Sequence, residues 1–142
     1  MRTIGAERPE TTVIEVILGV DTHLNFHVAV AIDHLGRRLG ESNVPTTAKG
    51  YERLLRWAKS FGPVRCAGIE GTSTYGAGLT RHLRASGIEV LEVERPEHRR
   101  RSSRRNLQKS DPSDAERAAR AVLAGEASGP RACPRAQTAT WR

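Results

Sequence analysis

Four carboxylates stand where a folded chain could bring them together. Asp21 closes an apolar run in Gly19-Val20-Asp21-Thr22-His23, and Glu70 closes a second in Gly68-Ile69-Glu70-Gly71-Thr72. Asp111 and Asp114 open a third motif, Lys109-Ser110-Asp111-Pro112-Ser113-Asp114-Ala115. If the strands ending in Asp21 and Glu70 are parallel neighbours, about 4.8 Å apart, the two acids stand side by side at the carboxyl edge of the sheet. Open α/β sheets place their ligands at that edge. Asp111 and Asp114 are three residues apart and so share a helix face. Such acids repel one another unless cations hold them, and hard oxygen donors suit Mg²⁺ or Mn²⁺. Two ions there could activate the attacking oxygen and stabilise the leaving oxygen of a phosphodiester. Each acid also has an ordinary reading: a strand terminator, a solvated turn residue, or, for Asp111-Pro112 and Asp114, a good helix start. The joint arrangement favours a cation site.

Next to these acids lies the chain's positive charge. The 142 residues carry a formal net charge of +7. Arg95, Arg99, Arg100, Arg101, Arg104, Arg105 and Lys109 lie in one window with Glu97 as the only acid, so that window carries +6. The rest of the sequence reads as nearly neutral. A charge run is often only a solvated loop, but this one leads directly into Asp111 and Asp114. That placement points to a phosphate backbone held without base readout. The basic residues are almost all Arg, whose planar fork matches phosphate geometry.

Composition narrows the class further. One domain fits the length, and aromatics at 4% leave no platform for base stacking. Cys66 and Cys133, the two cysteines, have no metal-ligand spacing, which argues against a zinc site and against a disulfide framework. The first residues lack the apolar region of a signal peptide, and no apolar stretch reaches membrane length. A reducing cytoplasmic setting is expected.

The elements that must position these groups follow from periodicity. Residues 13–20, 26–32 and 37–44 read as an antiparallel meander, with Asp33-His34-Leu35-Gly36 as a hairpin turn and Pro45 as the stop. A helix spans 47–61, capped by Thr47 and ended by Gly62-Pro63. A strand over 64–69, a helix over 74–86, a strand over 88–93 and a helix over 112–123 complete the order βββαβαβα. The expected fold is α/β, a mixed five-stranded sheet with helices on both faces. That order fits a ribonuclease-H-like sheet and also one half of an actin-like ATPase. Residues 1–12 read as an N-terminal arm, 13–124 as the domain and 125–142 as an irregular tail. Weaker signals are the turn 71–76, which lacks the lysine of a P-loop, and the pair His23 and His27, of which His23 could touch substrate beside Asp21.

The three acidic motifs, in this order, resemble those of the DEDD transposases of bacterial insertion sequences, the insertion-sequence one-hundred-and-ten family. Tyr75-Gly76-Ala77-Gly78-Leu79 and the Arg-rich window fit the resemblance, which covers roughly residues 13–124. It implies an N-terminal RuvC-like domain in which Asp21, Glu70, Asp111 and Asp114 bind Mg²⁺ or Mn²⁺ and carry catalysis. The reaction implied is DNA strand cleavage and exchange in transposition, by a homo-oligomer guided by an RNA from the element. The family's nucleophilic serine belongs to a C-terminal domain, and none of Ser73, Ser102, Ser103, Ser110 or Ser113 matches that motif, so no nucleophile is assigned. On this reading the chain is a truncated copy. Two alternatives stand beside it: a non-catalytic nucleic-acid-binding remnant, and half of an actin-like kinase or ATPase.

Overall fold

The computed structural model describes residues 14–94 and 112–126. The elements are β1 (Val16–Thr22), β2 (Phe26–Asp33), β3 (Arg38–Pro45), α1 (Ala48–Lys59), β4 (Val64–Ile69), α2 (Ala77–Ala85), β5 (Glu89–Glu92) and α3 (Pro112–Leu123). They form a five-stranded sheet in the order β3-β2-β1-β4-β5. The meander β1-β2-β3 is antiparallel. Both β4 against β1 and β5 against β4 are parallel, so the sheet is mixed, as the element order requires.

Alternation along the central strands divides the interior in two. Leu18 and Val20 of β1, with Ala67 and Ile69 of β4, meet Tyr51, Leu54 and Ala58 of α1 and Leu79 and Leu83 of α2. Ile17 and Cys66 face the other way, onto Ala115, Ala118, Ala119 and Val122 of α3. Helix α1 begins where Thr47 Oγ1 accepts from the Gly50 N–H at 3.0 Å. Helix α2 ends in a Schellman turn: Gly87 takes φ +85°, and the Ile88 N–H reaches back to the Leu83 carbonyl at 3.0 Å.

Three expectations change. The second helix begins at Ala77 rather than at residue 74, because the chain first turns through Gly71 at φ +72° and the Gly76 N–H bonds back to the Gly71 carbonyl. Arg37 belongs to the hairpin turn rather than to β3. Its backbone N–H and its Nε both donate to the buried Asp33 carboxylate, at 2.8 and 2.9 Å. Cys66 is disulfide-bonded, where the spacing of the cysteines argued against a disulfide framework; Cys133 lies outside the described residues. Among the described residues no helix is long and apolar enough to cross a membrane.

Helix α3 sits unusually close to the sheet because glycine leaves it room. A Cβ at Gly19 would lie 2.1 Å from the Ala115 carbonyl oxygen and 2.3 Å from the Ala119 nitrogen. Both are backbone atoms and cannot swing aside. Gly19→Ala is therefore expected to destabilise the fold by about 3 kcal/mol, the upper range for an overpacked core. Denaturant unfolding measures it, and a loss below about 0.5 kcal/mol, the size of an ordinary surface change, would contradict this packing.

Candidate acidic site at the carboxyl edge of the sheet

The last register pair of β1 and β4 is Val20 with Ile69, so the next residues on the two strands are Asp21 and Glu70. The Glu70 N–H donates to the Val20 carbonyl at 3.3 Å, which carries the parallel pairing one step past the end of β4. Strand alternation puts both acids on the face of Gly19 and Gly68, the face that α3 covers. Both are buried, with Asp21 4% and Glu70 3% exposed.

Short polar contacts fix this edge. The Thr22 hydroxyl donates to the Glu70 carbonyl at 2.8 Å, tying the end of β1 to the end of β4. Glu92 of β5 accepts from both the backbone N–H and the hydroxyl of Thr72, and so anchors the turn that follows Glu70. Sequence reading missed Glu92, since only the β4–β5 register brings it to Thr72. His23 Nε2 lies 3.2 Å from Asp21 Oδ2. Its ring stacks on Phe26, with centroids 4.6 Å apart.

Asp114 lies in the first turn of α3, one residue before Ala115, which packs on Gly19. It is half-buried, and its Oδ1 is 3.7 Å from the Arg117 guanidinium. Asp111 and the window from Arg95 to Lys109 lie outside the described residues. The structure therefore makes neighbours of Asp21 and Glu70 and puts the start of α3 on their face. Among the described residues it gathers no group of three His, Cys, Asp or Glu side chains suited to a metal.

His27 supports this edge from the opposite face of the sheet. Its Nδ1 is 2.9 Å from the Phe26 carbonyl, and its ring stacks on Tyr51 at 6.0 Å. Its Nε2 is buried without a hydrogen-bond partner. A neutral ring with the proton on Nδ1 fits these contacts, because the protonated ring would bury an unsatisfied N–H. Burial pushes the His27 pKa below its ordinary 6.5, outweighing the hydrogen bond to Phe26.

The turn 71–76 ends in Gly76, which caps α2 without a side-chain hydrogen bond. Ser73, Thr74 and Tyr75 of that turn are exposed.

A family model described as a transposase, of the DEDD type found in IS110 elements, matches residues 18–138. RuvC of T. thermophilus, in a structure with a Holliday junction substrate, is similar at a TM-score of 0.53 and 15% identity. A second Thermus thermophilus RuvC structure gives 0.51 and 14%, and each likeness covers 80% of this chain and 98% of the other. At that identity the likeness is one of fold. Among curated proteins none matches.

His27 gives a pH prediction whose sign follows from its lowered pKa. The stability it contributes is present above the ordinary 6.5 and is lost as pH falls from there towards the folded-state value, because the unfolded chain takes up the proton first. The Tm of the wild type should therefore fall as the solution is acidified below about pH 6.5. His27→Phe should show a shallower dependence. Equal slopes in the two proteins would contradict the buried neutral ring.

Proposed function

The chain belongs to the DEDD transposase family of the IS110 type, and from that premise we propose that it is a divalent-metal-dependent, DNA-cleaving domain. The observation that carries the reading is the burial of Asp21 and Glu70 as consecutive neighbours on two parallel strands, at the edge where such sheets bind ligands. Asp114, in the first turn of α3, and Asp111 of the same sequence motif would complete the acidic set. The donor chemistry fits a hard cation: these are carboxylate oxygens, and Cys66, the one cysteine among the described residues, is disulfide-bonded. When bound, Mg²⁺ or Mn²⁺ would supply Lewis-acid stabilisation of charge on a phosphodiester.

The rest of the chemistry belongs to side chains of this chain. Asp21 and Glu70 would present their oxygens from a rigid edge, held by the Thr22 and Glu92 contacts. His23 would orient the Asp21 carboxylate through its 3.2 Å contact. Arg95, Arg99, Arg100, Arg101, Arg104, Arg105 and Lys109 would hold the DNA backbone against the site, without reading sequence. A four-way DNA junction is the natural probe, given what the similar RuvC structure holds. Guidance by an RNA and assembly into an oligomer belong to the same proposal through the family.

Asp21→Asn and Glu70→Gln test it. Mn²⁺ binding by calorimetry should weaken at least about tenfold in each, since even an outer-shell change commonly costs that much. Metal-dependent cleavage of a junction, assayed with any C-terminal serine domain the family reading requires, should fall with it. Unchanged Mn²⁺ affinity in both variants would remove the metal assignment. Salt-sensitive DNA binding without any metal-dependent cleavage would favour the non-catalytic reading instead.

A further inference from the structure

Read along the sequence, charge outside residues 95–109 looks balanced. Folding separates it. Helices α1 and α2 carry Lys49, Arg53, Arg56, Lys59, Arg81 and Arg84 against Glu52 alone. The other described residues carry five cations against eleven acids. Since α1 and α2 cover the sheet face opposite α3, the positive layer lies across the sheet from the face of Asp21 and Glu70.

Pairing separates the two populations as well. Each of the five other arginines meets an acid: Arg37 with Asp33, Arg38 with Glu41 and Glu116, Arg65 with Glu15, Arg117 with Asp114, and Arg120 with Glu116. The six cations of α1 and α2 are all exposed, and none is ion-paired among the described residues. On α1, Lys49 and Arg53 stand four apart, and Arg53, Arg56 and Lys59 follow at steps of three. These like-charge spacings disfavour the helix by themselves. A surface serving only solubility intersperses both signs. This row runs about 15 Å along one helix, at 1.5 Å per residue. Beside it a groove of about 290 Å³ is lined by Glu52, Leu55, Arg56 and Lys59 of α1 and His82 of α2.

We propose that the exposed layer of α1 and α2 is a second nucleic-acid-binding surface, which grips a phosphodiester backbone apart from the strand held at the acidic edge. The grip is electrostatic and indifferent to sequence, because unpaired cations on exposed helix faces meet phosphates and not base edges. One chain would thereby hold two segments of nucleic acid on opposite faces of its sheet. The proposal needs no metal and stands apart from the fate of the acidic site.

The wild-type chain carries its own reporters. Its only lysines are Lys49, Lys59 and Lys109. Two lie on α1 and one in the Arg-rich window, so acetylation read by mass spectrometry separates the surfaces. Duplex DNA and a structured RNA hairpin, in separate arms, tell which polymer the surface takes. Bound nucleic acid at low salt should slow acetylation of Lys49 and Lys59 by roughly tenfold, and high salt should abolish the protection as counterions return to the phosphates. A variant joining Arg53→Gln and Arg56→Gln should lose that protection while leaving that of Lys109. Its slope of log binding constant against log salt should become shallower by about 2, near 0.9 per lost phosphate contact on duplex DNA. Protection of Lys109 alone, or of no lysine, in both arms would overturn the proposal, as would an unchanged salt slope in the folded variant.

Discussion

Everything at the acidic edge depends on the parallel pairing of β1 with β4. Parallel strands run their carboxyl ends the same way, so the residues that leave Val20 and Ile69 emerge side by side. A one-residue slip would turn Glu70 to the other face. The pairing is held against that slip from both ends. Val16 donates to the Pro63 carbonyl at 2.8 Å below, and Thr22 bonds the Glu70 carbonyl above. Burying two carboxylates as neighbours is costly unless something of opposite charge or a hydrogen-bond donor meets them. At this edge His23 Nε2 lies 3.2 Å from Asp21 Oδ2 and is one such partner.

The second constraint is the thinness of the layer between β1 and α3. Gly19 and Gly68 face Ala115, Ala118 and Val122, and a Cβ on either glycine would press into helix backbone or a packed side chain. Small residues on both sides let the helix axis come close, which seats the first turn of α3 near the end of β1. Pro112 starts the helix there with a φ already suited to it. Asp114 lies in that first turn, one residue before the Ala115 that packs on Gly19. The opposite face is built otherwise, with large side chains of α1 and α2 filling a deeper layer.

Much of this was legible before any coordinates. Apolar alternation and turn residues such as Asp33 and Gly36 give the meander, and the switch to helical spacing after Thr47 gives the crossovers. Two of the acidic motifs, those of Asp21 and Glu70, come to one edge because each closes a strand and the two strands pair in parallel. The start of α2 was misread by three residues, since Thr74 and Tyr75 look helical until the positive φ of Gly71 is known. Glu92 and the charged layer escaped for a common reason. Both depend on which distant elements become neighbours, and counting along the chain averages over such pairings. The sum over α1, α2 and the rest is near zero even though the two parts have opposite sign.

The central claim is that Asp21 and Glu70 form part of one divalent-cation site. Paramagnetic broadening by Mn²⁺ tests it most directly, with backbone amide signals followed residue by residue in the intact chain. The account predicts that the first signals to vanish at low Mn²⁺ are those of residues 20–23, 69–71 and the first turn of α3, and that excess Mg²⁺ restores them. Broadening spread evenly over exposed acids such as Glu41, Glu52 and Glu126, with the sheet edge untouched, would contradict it.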